Sequence, residues 1–566
     1  MDQACQHKSY ASQRFPNFSR NVVARAATEV ASDPSPSSKS VPVPATNRSH
    51  VTDFVVIGSG IGGLCCAALL AKYGHSVTVV ESHYLAGGAA HSFEVQGYHF
   101  DAGPSFFLGL TGPKGASINP LKQVLDAVGE TIEAKSYDRW MLYSPGAEPF
   151  PVVANRDAYR SAIAKHGGPG AVTQWDALEK EMRPLQDAAG LFPAAAIRTD
   201  PGVLLTAARF MGPQMMQMPF IAPRLTGPFS AVVDTVVTDP WLRSLMDLEC
   251  FVLSGMTAAH TLTAEMAFMF SERTSGRSAI EYPMGGSASI VGALVRGIEK
   301  HGGRVVLRAH VEEVVVEGGR AVGVRLRGGA GSSRGEEVIR ARKGPSCSPP
   351  NAVPQAWRTK SAATPQTDSF VHLHLGIDAT GLPKDLDCHH LVVDKWEGLT
   401  EPQNVSIVSI PTVFDPALAP PGKAVVHAYY AASEPYALWE GLARGTPQYA
   451  AMKEERAQPL WQALERIIPD IRARTELTLV ASPLTHARFL RRDRGTYGPA
   501  ISAGDSGAGG WPGPNTPCPG LYMCGDSTMP GIGVPAAAAS GVMAANGIAP
   551  VWDHLKMMDE MLGVAA

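Results

Sequence analysis

The chain has 566 residues, 45% hydrophobic and 18% charged, which is ample apolar material for more than one folded domain. Its formal net charge of -3 supplies no positive field for nucleic acid, and that class of partner is excluded. No run of about 18 or more uninterrupted apolar residues occurs, so no spanning helix is expected and any membrane contact is peripheral.

Residues 1–50 carry Lys8, Arg14, Arg20 and Arg25 among many Ser and Ala, with only Asp2, Glu29 and Asp33 as acids. A basic, Ser-rich, acid-poor leader reads as an organelle transit peptide and not as a folded element. Its composition leaves chloroplast and mitochondrion open.

Residues 51 to 82 read as strand, glycine turn, helix, strand. DFVVIGSG runs apolar into glycine, IGGLCCAALLAKYG holds helix formers and stops at Gly74, and HSVTVVES is a short β-branched run. Within it, GSGIGG spans Gly58, Ser59, Gly60, Ile61, Gly62 and Gly63, with Gly58, Gly60 and Gly63 in the GxGxxG positions. Gly58 permits a tight turn, Gly60 lets backbone approach a pyrophosphate, and Gly63 lets helix and strand pack closely. The helix N-terminus adds unpaired N–H groups for phosphate. Glu81, about 20 residues on, is placed to accept hydrogen bonds from ribose hydroxyls. Gly87 and Gly88 add a second phosphate-side turn. Together these predict a Rossmann-type dinucleotide site.

From about 150 to 275 the chain is mixed and helix-rich, and includes a Met-rich stretch from Phe210 to Pro223. Flexible methionines suit an irregular apolar tunnel or a membrane surface as well as they suit an ordinary core. Between 288 and 328 the pattern returns to α/β, with a hairpin turn expected at Gly318 and Gly319. Residues 344–367 are rich in proline and small polar residues and read as loop. Pro345, Pro349 and Pro350 argue against a buried strand there. Structured sequence resumes at SFVHLHLGID.

The last folded segment runs from Gly520 to Asn546. A short strand, LYMC, is expected to deliver Gly525 and Asp526, the latter placed to bond a ribityl hydroxyl. GIGVPAAAASG then opens a helix, with Pro535 in its first turn, where a missing N–H costs nothing. The positive end of that helix suits negative charge on a flavin.

The eight cysteines form no CxxC pair, and Cys65 and Cys66 sit inside an apolar helical run. This reads as reduced, buried thiols, with neither a disulfide scaffold nor a zinc site. His389 and His390 after Cys388 hint at metal, but no second ligand cluster has metal spacing, and no metal is expected.

These motifs, with HSFEVQGYHFDAG, LMDLECFVLSG, EYPMGG, DCHHLVV, LTHARFLRRDRGTYGPA and CGDSTMPGIGVPAAAASG, resemble the flavoprotein family of phytoene desaturases, plant carotenoid isomerases and retinol saturases. The resemblance spans about 52–547 and is greatest to the plant and algal carotenoid isomerase group. It implies an α/β fold in which a Rossmann-type FAD-binding domain interleaves with a mixed α+β substrate domain. The implied FAD contacts are Gly58, Gly60, Gly63, Glu81, Gly87, Gly88 and the backbone at Val311, with Gly525, Asp526, Gly533 and Val534 on the flavin side. It implies an FAD-domain part at 51–150, substrate domain at 151–275, FAD domain at 276–343, substrate domain at 368–484 and FAD domain from 485. It also implies a carotenoid substrate, a lipophilic tunnel, plastid location and contact with a membrane surface.

The activity implied is redox-neutral cis–trans isomerisation of a polyene. A desaturase or saturase reaction and a non-catalytic carotenoid-binding role are the alternatives. Glu281, Tyr282, Arg488 and Arg492 lie in the motif regions and read as structural or substrate-positioning. After Lys343 the family continues into an apolar strand, whereas this chain reads GPSCSPPNAVPQAW, which predicts the loss of that strand.

Overall fold

The computed structural model describes residues 51–212, 216, 218–274, 280–327, 337–346, 359, 363–503 and 512–563. The leader, with its transit-peptide reading, lies outside the described residues.

β1 (Val51–Ile57), α1 (Ile61–Lys72) and β2 (Val77–Val80) form the expected βαβ unit. β1 and β2 pair in parallel, from Phe54 opposite Val77 to Ile57 opposite Val80. Their apolar runs are buried on both faces, Phe54, Val56, Val77 and Val79 against α1 and Val55, Ile57 and Val80 in a cluster with Val311, Val324 and Leu521. The chain then leaves through β3 (Arg139–Tyr143) and β4 (Phe150–Val153). A helical block follows: α2 (Arg156–Leu191, broken at Gly168), α3 (Val203–Met211), α4 (Met218–Thr226), α5 (Pro240–Ser254) and α6 (Thr263–Thr274). It returns with α7 (Ser287–Lys300), β5 (Arg304–Val306), β6 (Val311–Glu317), β7 (Arg320–Leu326) and β8 (Glu337–Ser346). These strands complete a six-stranded sheet in the order β5-β2-β1-β8-β7-β6. Gly318 and Gly319, with φ of 56° and 76°, make the predicted hairpin turn between β6 and β7.

β9 (Ser369–Asp378), β10 (His389–Val393), β11 (Val405–Ser409), β12 (Lys423–Glu434) and β13 (Thr475–Ala481) join β3 and β4 in a second sheet. Its order is β13-β9-β12-β11-β10-β3-β4. Arg139–Val153 therefore belongs by pairing to the second sheet, upstream of the boundary read at 150. α8 (Pro483–Leu490) follows β13, and α9 (Val534–Ile548) closes the nucleotide side. α9 lies so close to α1 that a Cβ on Gly541 would sit 2.3 Å from the Gly62 carbonyl. That contact locks the two glycine-rich motifs, nearly the whole chain apart, against each other.

Two expectations need correction. Pro345 does not end the sheet: β8 runs through it, and Phe54, Val55 and Val56 pair with Gly344, Pro345 and Ser346. The reason lies in the neighbours. β7 pairs with β8 only from Glu337 to Arg340, so beyond that point β1 is the sole strand partner. A strand paired on one side needs only alternate N–H groups, which leaves room for a proline. Pro349 and Pro350 lie outside the described residues. The LYMC segment, in turn, is extended but makes only an isolated bridge, Tyr522 to Asn515. Met523 N–H donates to the Pro514 carbonyl, and the nearby prolines offer too few donors for a ladder.

Candidate cofactor and substrate site

The turn after β1 forms as its glycines require. Gly58 has φ of 91°, and its N–H donates to the Val80 carbonyl. A Cβ on Gly63 would fall 2.5 Å from the Gly58 carbonyl, and one on Gly62 would fall 2.7 Å from the Gly525 nitrogen. Around Gly58, Gly60 and Gly525 there is open space instead. Backbone N–H groups at the start of α1 thus face a cleft with no side chains in it, which fits a diphosphate. The second turn meets the first: Gly87 N–H donates to the Ser59 carbonyl, and a Cβ on Gly88 would clash with Gly60.

Glu81, at the end of β2, is buried. One of its oxygens accepts from Ser59 N and Ser59 Oγ, both at 2.8 Å, and the other accepts from His83 N at 2.7 Å. It therefore braces the glycine turn. Ala309 N–H donates to the Glu81 carbonyl and Arg308 N–H to that of His83, which runs the start of β6 alongside. The Val311 side chain is buried under the sheet and does not line the cleft; Arg308 does.

On the opposite side, Gly525, Asp526, Gly533 and Val534 line the cleft, and Pro535 lies in the first turn of α9. Arg492 donates to Asp526 and to the carbonyls of Thr496 and Tyr497. Burial lowers the Arg492 guanidinium to about 10, and Asp526 fixes its head at the cleft wall. Arg492 is thus a positioning group. Glu281 accepts from the N–H groups of Leu110 and Thr111 at 2.6 and 3.0 Å, and Tyr282 donates to Asp101 at 3.1 Å, so both are structural. Arg488 is exposed and stacks on Phe489.

The cleft opens without interruption into an apolar chamber, the two forming one cavity of about 1930 Å³. Aromatic and aliphatic residues from both sheets and the helical block form its walls, among them Phe106, Trp140, Leu245, Phe370, Tyr429 and Tyr497. Three carboxyls face it. Asp526 is paired with Arg492, and Glu249 with Arg273 at 2.7 Å. The carboxyl of Glu265, in the first turn of α6, makes no hydrogen bond or ion pair among the described residues, and burial pushes it up to about 8.

One wall is a histidine cluster that the sequence reading did not single out. His372 and His374 alternate on β9, and His427 on β12 pairs across from His374. The HLH spacing in SFVHLHLGID was the available signal, because residues two apart on a strand share a face. The three ring-nitrogen sets lie within 4.8 Å of one another. His372 Nδ1 and His427 Nε2 are 2.7 Å apart, with nearly coplanar rings (12°) whose centroids are 5.0 Å apart. The nitrogens therefore point at each other across a hydrogen bond. His374 stacks face to face on His427 at 4.3 Å, and its Nε2 faces the Asp101 carbonyl. In this arrangement the three rings form a hydrogen-bonded imidazole stack. Burial holds all three rings neutral by driving their basicity down. His389 and His390, by contrast, bond to Ser409 and to the Asp387 carbonyl as ordinary strand residues.

Cys65, Cys250 and Cys388 are free and buried, as expected, Cys66 is buried beside Cys65, and Cys518 is free. Cys524 departs from that expectation and is disulfide-bonded.

The sequence model of the flavin-containing amine oxidoreductase family matches residues 61–549, from within the first glycine motif through the whole of the second. The chain belongs to that family. It is an FAD-dependent enzyme. It is 32% identical over 515 residues to a chloroplastic prolycopene isomerase of Arabidopsis thaliana, covering 88% of this chain and 82% of that protein. It is 25% identical to a lycopene-forming phytoene desaturase of a Paracoccus strain, over 86% of this chain and 95% of that one. In fold it is similar to an oxidoreductase of Methanosarcina mazei, with a TM-score of 0.54, 20% identity and 87% and 99% of the two chains covered.

Proposed function

We propose that this chain is an FAD-dependent carotenoid cis–trans isomerase that converts a prolycopene-type polyene to its all-trans form. The observation that carries this reading is the continuity of the glycine cleft with a long apolar chamber. A polyene has nothing to hydrogen-bond, so its recognition is a matter of shape and apolar contact. Support comes also from the likeness to prolycopene isomerases over most of the chain. FAD held in the glycine cleft in its reduced form would supply the electron density that eases rotation about a cis double bond. The protein's residues orient the polyene along the chamber and exclude water.

We place the protein in the plastid, on a membrane surface. α3 supports the second part. Val203, Ala207 and Met211 line the chamber, while Leu204 and Leu205 on the same helix are 66% and 46% exposed. Met216 and Phe220 nearby are 81% and 78% exposed. A helix apolar on both faces at the edge of an apolar chamber suits entry of a lipid-soluble substrate. No helix among the described residues is long and apolar enough to cross a membrane.

The test is an anaerobic assay of the purified protein with tetra-cis-lycopene, with and without reduced FAD. All-trans product of unchanged mass, formed only with reduced FAD, is the expected outcome. A mass change of two hydrogens would assign a desaturase or saturase instead, a reading favoured by the likeness to the Paracoccus enzyme.

A further inference from the structure

The chamber wall presents an acid whose surroundings differ from those of every other carboxyl around it. Glu249 and Asp526 are neutralised by arginines. Glu265 has no such partner, and its neighbours along the wall are Leu262, Phe268 and Met269. It is half-buried and lines the chamber. An ionised carboxylate there would be desolvated without compensation, so the group is held as the neutral acid at pH 7. The titratable groups facing it are Tyr497, beyond α8, and Cys250 on α5. Burial raises both, so neither carries charge at pH 7. An uncharged carboxyl pointing at an apolar ligand is poorly suited to binding that ligand. It is suited to giving up a proton and taking one back.

We propose that Glu265 is a catalytic acid–base residue that protonates a double bond of the bound polyene and recovers the proton after rotation. This rests on the polyene-isomerase reading above. In the forward step the Oε–H bond breaks and the proton joins one carbon of the cis double bond. The π pair becomes the new C–H bond, and positive charge spreads along the conjugated chain. The former double bond is now single and turns. The Glu265 carboxylate then removes a proton from the same carbon, and the C–H pair reforms the π bond in trans geometry. Atoms and electrons balance, and nothing is consumed. The cation is stabilised by the carboxylate it leaves behind, which acts strongly in a dry chamber. The faces of Phe268, Phe370 and Tyr497 add cation–π attraction. The electron density credited to FAD offsets the same charge.

The test compares wild type, E265Q and E265D, each loaded with reduced FAD, on tetra-cis-lycopene. General acid–base residues contribute about 100- to 10,000-fold. E265Q should lose at least about 100-fold in kcat with little change in KM, and E265D should recover part of it. Wild-type turnover should slow in D2O. Independently of activity, the infrared band of a protonated carboxyl should be present at pH 7 in wild type and absent in E265Q. E265Q turning over within a few-fold of wild type, equal rates in H2O and D2O, or an unchanged infrared band would overturn the proposal while leaving the isomerase reading intact. A wild type that forms no all-trans product overturns both.

Discussion

At the residue scale, Glu265 carries a stability cost that can be measured apart from any reaction. Its carboxyl is raised to about 8 in the fold, against an ordinary value of 4.5. A group whose value is raised on folding is fully favourable only below 4.5, and the fold loses stability as pH rises from there toward 8. At pH 7 the cost is about 3 kcal/mol. E265Q should therefore unfold at higher urea than wild type at pH 7, and the gap should close near pH 4. An E265Q protein less stable than wild type at pH 7 would show that Glu265 has a partner after all. The glycines make a sharper prediction. Gly62→Ala brings a Cβ to 2.7 Å from backbone at Gly525, and backbone cannot step aside. It should abolish FAD retention, seen as loss of flavin absorbance after gel filtration, whereas Gly319→Ala in the exposed hairpin should keep the flavin. The glycine turn was legible in the sequence because a tight strand-to-helix turn leaves a fixed spacing. Glu265 was not, because its character comes from apolar residues brought around it by distant parts of the chain.

Elements show a similar division. The βαβ unit, the 318–319 hairpin and α9 all follow local rules of periodicity and turn chemistry, and all form as read. β8 does not, because whether Pro345 is tolerated depends on which side of the strand has a neighbour, and β7 is too short on that side to need one. The LYMC segment fails as a strand for the opposite reason, since its composition suits a ladder but its neighbours do not. α3 and α4 carry the membrane reading. Replacing Leu204, Leu205 and Phe220 together by serine should release the protein from plastid-lipid vesicles in a flotation assay while leaving bound FAD unchanged. Flotation equal to wild type would place membrane contact elsewhere.

For the whole molecule, the second sheet and α8 together bury several neutral imidazoles. His374 is lowered to about 4, and His389 and His486 to about 3, chiefly by burial. Below the ordinary value of 6.5 the unfolded chain binds protons that the fold refuses. Stability is therefore complete above about pH 6.5 and is lost as pH falls, by about 1.4 kcal/mol per pH unit for each ring. Since a native protein has only about 5–15 kcal/mol in hand, the urea midpoint should drop steeply between pH 6.5 and 5. A midpoint flat down to pH 4.5 would mean the rings are protonated within the fold.

The central claim is that one cavity holds FAD and polyene for a reaction in which no electrons are finally exchanged. Its most direct test is the redox state of the flavin, followed by absorbance under anaerobic conditions through many turnovers of tetra-cis-lycopene with no added donor. The account predicts that reduced FAD persists while all-trans product accumulates far beyond the amount of enzyme. Oxidation of one flavin for each product formed, with turnover stopping there, would contradict it.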